Sequence, residues 1–520
     1  MLHTHLIRPV SELLASRARE LAGKVAYRDA HRAVTYEELF TRTGNLAGHL
    51  RDVGLRRGDK VAIFMGNRVE TVESYFAITR AAGVCVCINP QIPAEDAAYM
   101  LSDSGARAVF TDAEHADLIA KLLGDLPDVG QVIVVGEEAS ASEATTISYG
   151  ELAGTDPSVS PADDLPLDDP AFMLYTSGTT GRPKGVLLSQ RSNLWVVAAC
   201  WAPIVGFSEE DYILSPLPLF HSYALNAAVL APLAVGATEY VMPRFSTKEV
   251  LRLLREEPIT LLLGVPTMYQ YLLQEARDEG LGAGELRACI AAGAIMSAAL
   301  NQDFEDAFGV PLLDGYGITE TSTMVTENWP TGTRVMGSCG LPLPGSAVRL
   351  VDPSTGVDVP LGQEGELWVR GPHVMLGYHN RPEETEEALS GGWFHTGDLA
   401  RSDDNGYLRI TGRIKELIIR GGQNIAPVEV EEVVAQHPTV LDCAVVAAPH
   451  EDLGEVPIAF VVPEDEATFD PEDLLTYCEE HLVRYKVPAE VMMIDSIPRT
   501  GSGKTMRFKL QERLLQESDA

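Results

Sequence analysis

The chain has 520 residues, with 40 lysines and arginines against 75 aspartates and glutamates and a formal net charge of −35. That length exceeds one simple core, so two or more domains are expected. The acidity argues against a nucleic-acid partner, which needs a basic face, and against a polybasic membrane anchor.

Apolar content of 45% and a mean hydropathy near zero fit a soluble globular protein. No stretch approaches the ~20 apolar residues of a membrane span, and the start, MLHTHLIRPVSELL, lacks the long apolar run of a secretory leader. The seven cysteines (85, 87, 200, 289, 339, 443, 478) are odd in number and form no C-x-x-C pair. Neither a metal site nor a disulfide framework is expected, and the reading is a cytoplasmic, reduced protein.

In chain order, Tyr36 to Leu50 has helical period, with Leu39, Leu46 and Leu50 on one face. Val61–Phe64 is a short apolar strand, Val69–Arg80 an amphipathic helix and Val84–Ile88 a buried strand holding Cys85 and Cys87. Helix at Ala94–Ser102, strand at Ala108–Phe110, helix at Ala116–Leu123 and strand at Val132–Val135 continue the alternation. Strand–helix alternation predicts an α/β fold of helix-covered parallel sheets. Ser158–Asp169, rich in Pro and Asp, reads as a linker. Alternation resumes through about residue 315. Arg349–Arg370 differs: VRLVD, a turn at Pro353–Gly356 and GELWVRG predict antiparallel strands in a small β-rich subdomain. Beyond Arg413 the chain restarts, with short elements at Glu416–Ile419, Pro427–Ala435, Cys443–Ala447, Ile458–Val462 and Pro471–Leu482. That length suffices for a small α+β domain.

The chemistry begins at Tyr175–Val186, YTSGTTGRPKGV. Its glycines let the backbone approach a polyphosphate and supply amide donors. Thr176, Ser177, Thr179 and Thr180 add hydroxyls around Gly178, and Lys184 adds a mobile charge. The alternative, a Gly/Thr-rich surface turn, lacks this density of donors. It is not a G-x-x-x-x-G-K-[ST] loop, because Pro183 stands where the second glycine belongs. Gly501-Ser-Gly-Lys504-Thr505 fails the same test, with Pro498 in place of the first glycine. A P-loop kinase or ATPase is thereby set aside.

The dodecamer resembles the phosphate-binding signature of the adenylate-forming superfamily, which includes acyl-CoA synthetases, firefly luciferases and peptide-synthetase adenylation domains. Further resemblances follow in order, from about residue 30 to about 512. Asp314-Gly315-Tyr316-Gly317-Ile-Thr319-Glu320 is similar to the YGxTE motif. The resemblance implies that Tyr316 stacks on adenine, Asp314 accepts from its amino group, Thr319 touches the α-phosphate and Glu320 holds Mg²⁺. One glutamate suffices chemically, since Mg²⁺ takes few carboxylates plus substrate phosphates. Gly293 and Ala294 would flank the nucleotide. Trp393–Asp398 is similar to the TGD motif, so Asp398 would accept from the ribose hydroxyls, with Arg413 as a second contact. Phe220-His221-Ser-Tyr223 resembles the aromatic motif in the form found in coumarate-CoA ligases, implying that His221 sits beside the substrate carboxylate. Pro498–Lys504 resembles the C-terminal lysine motif, implying that Lys504 bridges the carboxylate and the α-phosphate. Lys415 stands at the superfamily's hinge, and Gly421 and Gly422 at its pantetheine tunnel.

The implied architecture is an N-terminal domain over 1–412, a hinge at 413–416 and a mobile C-terminal domain over 417–520. The implied reaction is ATP-dependent activation of a carboxylic acid, a fatty acid first, to acyl-AMP and then transfer to CoA. An aryl or coumarate-type acid and an acyl carrier protein's phosphopantetheine are the alternatives for acid and acceptor. The expected acyl pocket is small and apolar (Ala227, Ala292, Gly293, Ala294, Gly315, Gly317, with His221 and Tyr223 on its wall). It offers no aspartate to hold an amino group, which argues against amino-acid activation. Arg484, Lys486, Arg499, Arg507 and Lys509 are the candidate basic patch for CoA phosphates or an acidic carrier protein. Ile295 and Cys339 depart from the commoner Pro and Val of relatives.

Overall fold

The computed structural model describes residues 1–136, 146–176, 182–279, 282–500 and 504–518. Two mixed sheets form the large body. The first has eight strands, with Val84–Cys87, Lys60–Phe64, Ala106–Asp112 and Gln131–Val135 parallel at its centre. The second has nine, with Thr238–Val241, Tyr212–Ser215, Leu261–Gly264, Ala288–Ala291 and Leu312–Tyr316 parallel in register. These strands are four to seven residues long and nearly all buried. That is why they read as apolar runs rather than alternations. The expected helices form where the period placed them: Tyr36–Asp52, Val69–Arg80, Ala94–Ser104 and Ala116–Leu122. The first opens on a capping box, in which Thr35 Oγ1 accepts from Glu38 N at 3.3 Å and Glu38 Oε2 accepts from Thr35 N at 2.8 Å. Such a cap contributes about 1 kcal/mol.

One continuous core joins the faces of both sheets, from Leu13 and Tyr27 through Phe110 and Phe172 to Trp201 and Leu313. Two helical stretches crossing it are π-helical, Val197–Val205 and Leu225–Leu230. Apart from Asn226, whose Oδ1 accepts from Trp201 Nε1 at 2.6 Å, both are apolar on every side, so their sequence carries little helical period to read.

Residues 347–413 form an antiparallel four-stranded sheet, Ala347–Val351, Gly365–Arg370, Phe394–Ser402 and Leu408–Arg413, as the β-rich pattern predicts. Beyond it, Gly454–Pro463 pairs antiparallel with Val440–His450 and with Ile418–Arg420, and parallel with Glu490–Met493. The long hairpin 440–463 was legible only as its two buried centres. This region has its own core, including Ile418, Val430, Val434, Val445, Val461 and Leu474. No helix among the described residues is long and apolar enough to cross a membrane.

Candidate active site

Thr176 ends the strand Pro170–Thr176, and Lys184 begins the antiparallel strand Lys184–Ser189, the two residues being in register. Ser177, Gly178, Thr179 and Thr180, between them, lie outside the described residues. Lys184 is ion-paired with Glu384, and its Nζ sits 5.3 Å from the Tyr378 ring centroid. Tyr378 is brought there by backbone pairing: Gly377–Tyr378 adds to the edge of the Lys184 strand, and His379 N donates to Gly185 O at 2.7 Å.

Asp314, Gly315 and Tyr316 end a central strand of the second sheet, and Thr319–Thr321 makes a single 3₁₀ turn beyond it. The glycines are there for space. A methyl on Gly317 would drive into the backbone of Thr323, and one on Gly315 would lie 2.6 Å from Glu327 Oε2. The chain turns back through Ser322 at φ +50° and Thr323 at φ +93°. For a β-branched residue the latter is a strained conformation, of the kind that concentrates at functional sites.

Glu320 faces this cluster. Tyr378 Oη donates to its Oε1 at 3.1 Å, and Met375 N donates to its backbone carbonyl at 2.8 Å. Burial raises the Glu320 carboxyl, while the Tyr378 hydroxyl and Lys504 oppose that shift. A buried carboxylate with one oxygen spoken for fits a divalent cation that takes its other ligands from phosphates and water. Among the described residues no cluster of three or more His, Cys, Asp or Glu could hold a metal ion by itself. Ser222 Oγ lies 3.4 Å from Thr319 Oγ1, tying the aromatic motif to the 319–320 turn.

Asp398 and Arg413 are cross-strand partners, and Arg413 Nε lies 2.7 Å from Asp398 Oδ1. Tyr316 Oη donates to Asp398 Oδ2 at 2.6 Å. Asp398 raises the Arg413 guanidinium further above its usual range. Lys504 enters the same cleft. Burial, then Arg413, lowers its ammonium, and Asp398, Glu320 and Glu416 counter this. Its backbone N donates to Thr500 Oγ1 at 3.1 Å.

Burial, with the nearby Lys504 charge, pushes the His221 imidazole down to about 3. His221 is thus neutral at physiological pH. Its Nδ1 accepts from Tyr223 N at 3.3 Å, which leaves the proton on Nε2. Tyr223 donates to Ile290 O at 3.1 Å, and its ring stacks on Trp201 at 6.1 Å. Ala227 and Ala292 are fully buried beside this wall, and Gly293, at φ +90°, and Ala294 follow the strand Ala288–Ala291.

The purely apolar pocket expected from these residues is not what forms. Asp314 is 5% exposed and Glu327 fully buried, and burial raises both carboxyls well above the usual range. Asp314 Oδ1 has no hydrogen-bond partner. An orphaned buried acceptor at the end of this strand fits the amino group of an adenine. Glu327, Tyr378 and Glu384 carry no motif signal; only the fold brings them here. Cys339 packs elsewhere, with its Sγ 3.2 Å from Leu408 O.

Two expected groups are not gathered. Gly421 and Gly422, at φ +57° and +82°, form the exposed turn of the hairpin Ile418–Ile425, and Lys415 is exposed. The basic patch is also largely spent internally. Lys486 pairs with Glu429, Arg499 with Asp442, and Arg507 with Glu416 and Glu431.

The AMP-binding enzyme family matches residues 14–379, and its AMP-binding enzyme C-terminal domain matches 429–504. A feruloyl-CoA synthase of Amycolatopsis sp is 37% identical over 96% of this chain and 97% of its own length. A long-chain-fatty-acid–CoA ligase of Yersinia pestis is 35% identical over 96% and 93%. The chain spans only 19% of a naringenin synthase of Pestalotiopsis fici that it matches at 39% identity. Among solved structures, an anthranilate CoA ligase in complex with anthranoyl-AMP superposes with a TM-score of 0.91 at 28% identity, covering 99% of this chain and 98% of that one. With this fold and this convergence of Tyr316, Glu320, Asp398, Arg413 and Lys504, the chain belongs to the AMP-binding enzyme family, the adenylate-forming superfamily, and is an AMP-forming acid–thiol ligase.

Proposed function

We propose that the protein activates a carboxylic acid, fatty or aryl, with ATP and passes the acyl group to CoA. The observation that carries this is the meeting of Lys504 with Glu320, Asp398 and Arg413, and with a neutral His221, in one cleft. In the first half-reaction a carboxylate oxygen bonds to the α-phosphorus, the α–β phosphate bond breaks and pyrophosphate leaves. Two anions must approach, so preorganised positive charge is the main requirement.

Asp398 accepts from the ribose while Tyr316 and Arg413 fix its orientation. Lys184 exchanges Glu384 for the departing phosphates. His221 Nε2–H donates to the substrate carboxylate, and Lys504 stands between that carboxylate and the α-phosphate. Glu320 and the bound phosphates would hold Mg²⁺, which when bound offsets phosphate charge. In the second half-reaction the thiol sulfur bonds to the acyl carbon, AMP leaves and the thiol proton is released.

Lys415 serves as the hinge, with 1–412 and 417–520 as the two bodies it joins. Gly421 and Gly422 at an exposed turn, with Lys504 in the cleft, support reading the present arrangement as the adenylating one. Rotation about Lys415 would bring the glycines to the pantetheine arm. CoA is favoured over a carrier protein, because the relatives matched along most of their own length are named for CoA and Lys486, Arg499 and Arg507 of the candidate patch are ion-paired. Fatty and aryl acids stand level on kinship, since relatives named for each are nearly equally similar.

The test is mass spectrometry of products from ATP, Mg²⁺, CoA and a panel of fatty and aryl acids. Acyl-CoA with AMP and pyrophosphate is expected. Acyl-AMP accumulating without acyl-CoA would move the acceptor to a carrier protein, and no adenylate from any acid would sink the proposal.

A further inference from the structure

Glu320 follows the second large sheet and Lys184 belongs to the first, and one short segment touches both. Met375 N donates to Glu320 O at 2.8 Å, and Leu376 N donates to Leu187 O at 2.9 Å. Gly377 and Tyr378 then pair with Leu187 and Val186 on the Lys184 strand. Tyr378 N donates to Thr385 Oγ1 at 2.9 Å, on the helix Pro382–Ala388 that also carries Glu384. A methyl on Gly377 would lie 2.7 Å from Thr385 Cγ2, so strand and helix meet closely. The backbone of Tyr378 is thus fixed from three sides.

Its side chain meets both charged groups. The hydroxyl donates to Glu320 Oε1 at 3.1 Å, and the ring centroid lies 5.3 Å from Lys184 Nζ. A carboxylate with one oxygen held cannot turn freely, and its other oxygen stays available to a cation. A ring face attracts an ammonium without neutralising it. Glu384, the ion-pair partner of Lys184, must yield when phosphates arrive, whereas the ring need not. Lys184, a flexible point charge, then stays ordered while it changes partners. An edge-strand aromatic that only covered apolar surface would need no hydroxyl, and phenylalanine would serve there equally well.

We propose that Tyr378 is a positioning residue with two separable tasks: its hydroxyl orients the Glu320 carboxylate toward Mg²⁺, and its ring holds the Lys184 ammonium for the phosphates. The inference rests on the acid–CoA ligase reading, in which Glu320 and Lys184 serve ATP.

The experiment measures binding without turnover. Calorimetric titrations of the full chain, with no acid present, give its affinity for Mn²⁺·ATP and for metal-free ATP in EDTA. Electron paramagnetic resonance of Mn²⁺ follows the bound metal, and thermal unfolding checks each variant. The wild type is expected to bind Mn²⁺·ATP more tightly than metal-free ATP. Y378F should reduce that ratio by about tenfold, the scale of losing a partner that orients a metal ligand, and leave metal-free ATP unchanged. Y378L should also weaken metal-free ATP, by about three- to fivefold, and should not do so in a Lys184→Ala background. Should Y378L not fold, Y378F decides. A Y378F ratio equal to that of the wild type, or an equal loss for both forms of ATP, overturns the inference. So does a wild-type ratio of one. Acyl-CoA formation by the wild type would leave the ligase reading intact in each of these cases. Failure of every acid to give adenylate or thioester removes the ligase reading, and the inference with it.

Discussion

The two halves of the site handle charge in opposite ways. On the nucleotide side several charged groups are matched: Asp398 with Arg413 and Tyr316, Glu320 with Tyr378, Lys184 with Glu384. Where that side borders the acyl wall, the adenine-facing Asp314 and its neighbour Glu327 are buried and driven toward the neutral form. Paired charges can change partners when a polyanion arrives, at little net cost in desolvation. Neutral buried polar groups cannot do this, and instead discriminate by which of their hydrogen bonds a ligand completes. The nucleotide half is thus built to exchange partners, and its border with the acyl wall is not.

Removing Lys504 strikes where the halves meet. Lys504→Ala is expected to slow adenylation by about a hundredfold to a thousandfold, the scale of losing one preorganised charge stabiliser. It should largely spare thioester formation from supplied acyl-AMP. Rapid-quench assays of the separate half-reactions check this, and equal loss in both would contradict the role. Next comes the ribose anchor. Asp398→Ala leaves Arg413 and Tyr316 without their acceptor and should raise the KM for ATP by roughly tenfold to a hundredfold, with the KM for the acid little changed. A matching rise for the acid would mean the halves are not separable.

The pH dependence of stability probes the buried imidazoles. Burial, aided at His221 by Lys504, holds His221 and His373 down to about 3. Between that value and about 6.5 the unfolded chain binds the extra proton, so stability rises with pH through this window and is lost as pH falls. Each such imidazole costs about 1.4 kcal/mol per pH unit there. His373, stacked on Trp195 at 4.7 Å, lies away from the chemistry. His373→Gln should flatten the acid limb of a denaturation series, and an unchanged slope would refute the assignment.

The smallest effect is at the partner exchange. Glu384→Gln frees Lys184 and should lower the KM for ATP, and the inhibition constant of pyrophosphate, by a few-fold. The same change should have no effect in a Lys184→Ala background. Persistence there would show that Glu384 acts by another route.

Much of the nucleotide half was legible because its residues sit at the ends of short, apolar parallel strands or in glycine-marked turns. Asp314 to Glu320 and Asp398 to Arg413 are of this kind. The acyl half was not. Glu327 reads as an ordinary acid within VTENWP, and only its antiparallel pairing with Gly315 turns it inward. The contact of Tyr378 with Glu320 spans 58 residues, and no local pattern announces it. The π-helical turns behind the pocket are apolar but for Asn226, so spacing could not show which face meets the acid. The expectation of a small, apolar pocket came from counting alanines and glycines. Those residues create room, and the room is filled by a carboxyl from the next strand.

The left-handed backbone at Ser322 and Thr323 has an evolutionary and engineering meaning. A threonine held at φ +93° stores about 1–3 kcal/mol of strain, of which a glycine would recover the part exceeding its own cost of roughly 0.4–1 kcal/mol in the unfolded chain. The chain therefore carries a dormant route to greater heat resistance, one substitution away, in the turn that joins the glycine strand to Glu327. A lineage or designer taking that route would trade the firmness of this turn for thermal endurance. Thr323→Gly is a place where a looser turn and a higher melting temperature would come together.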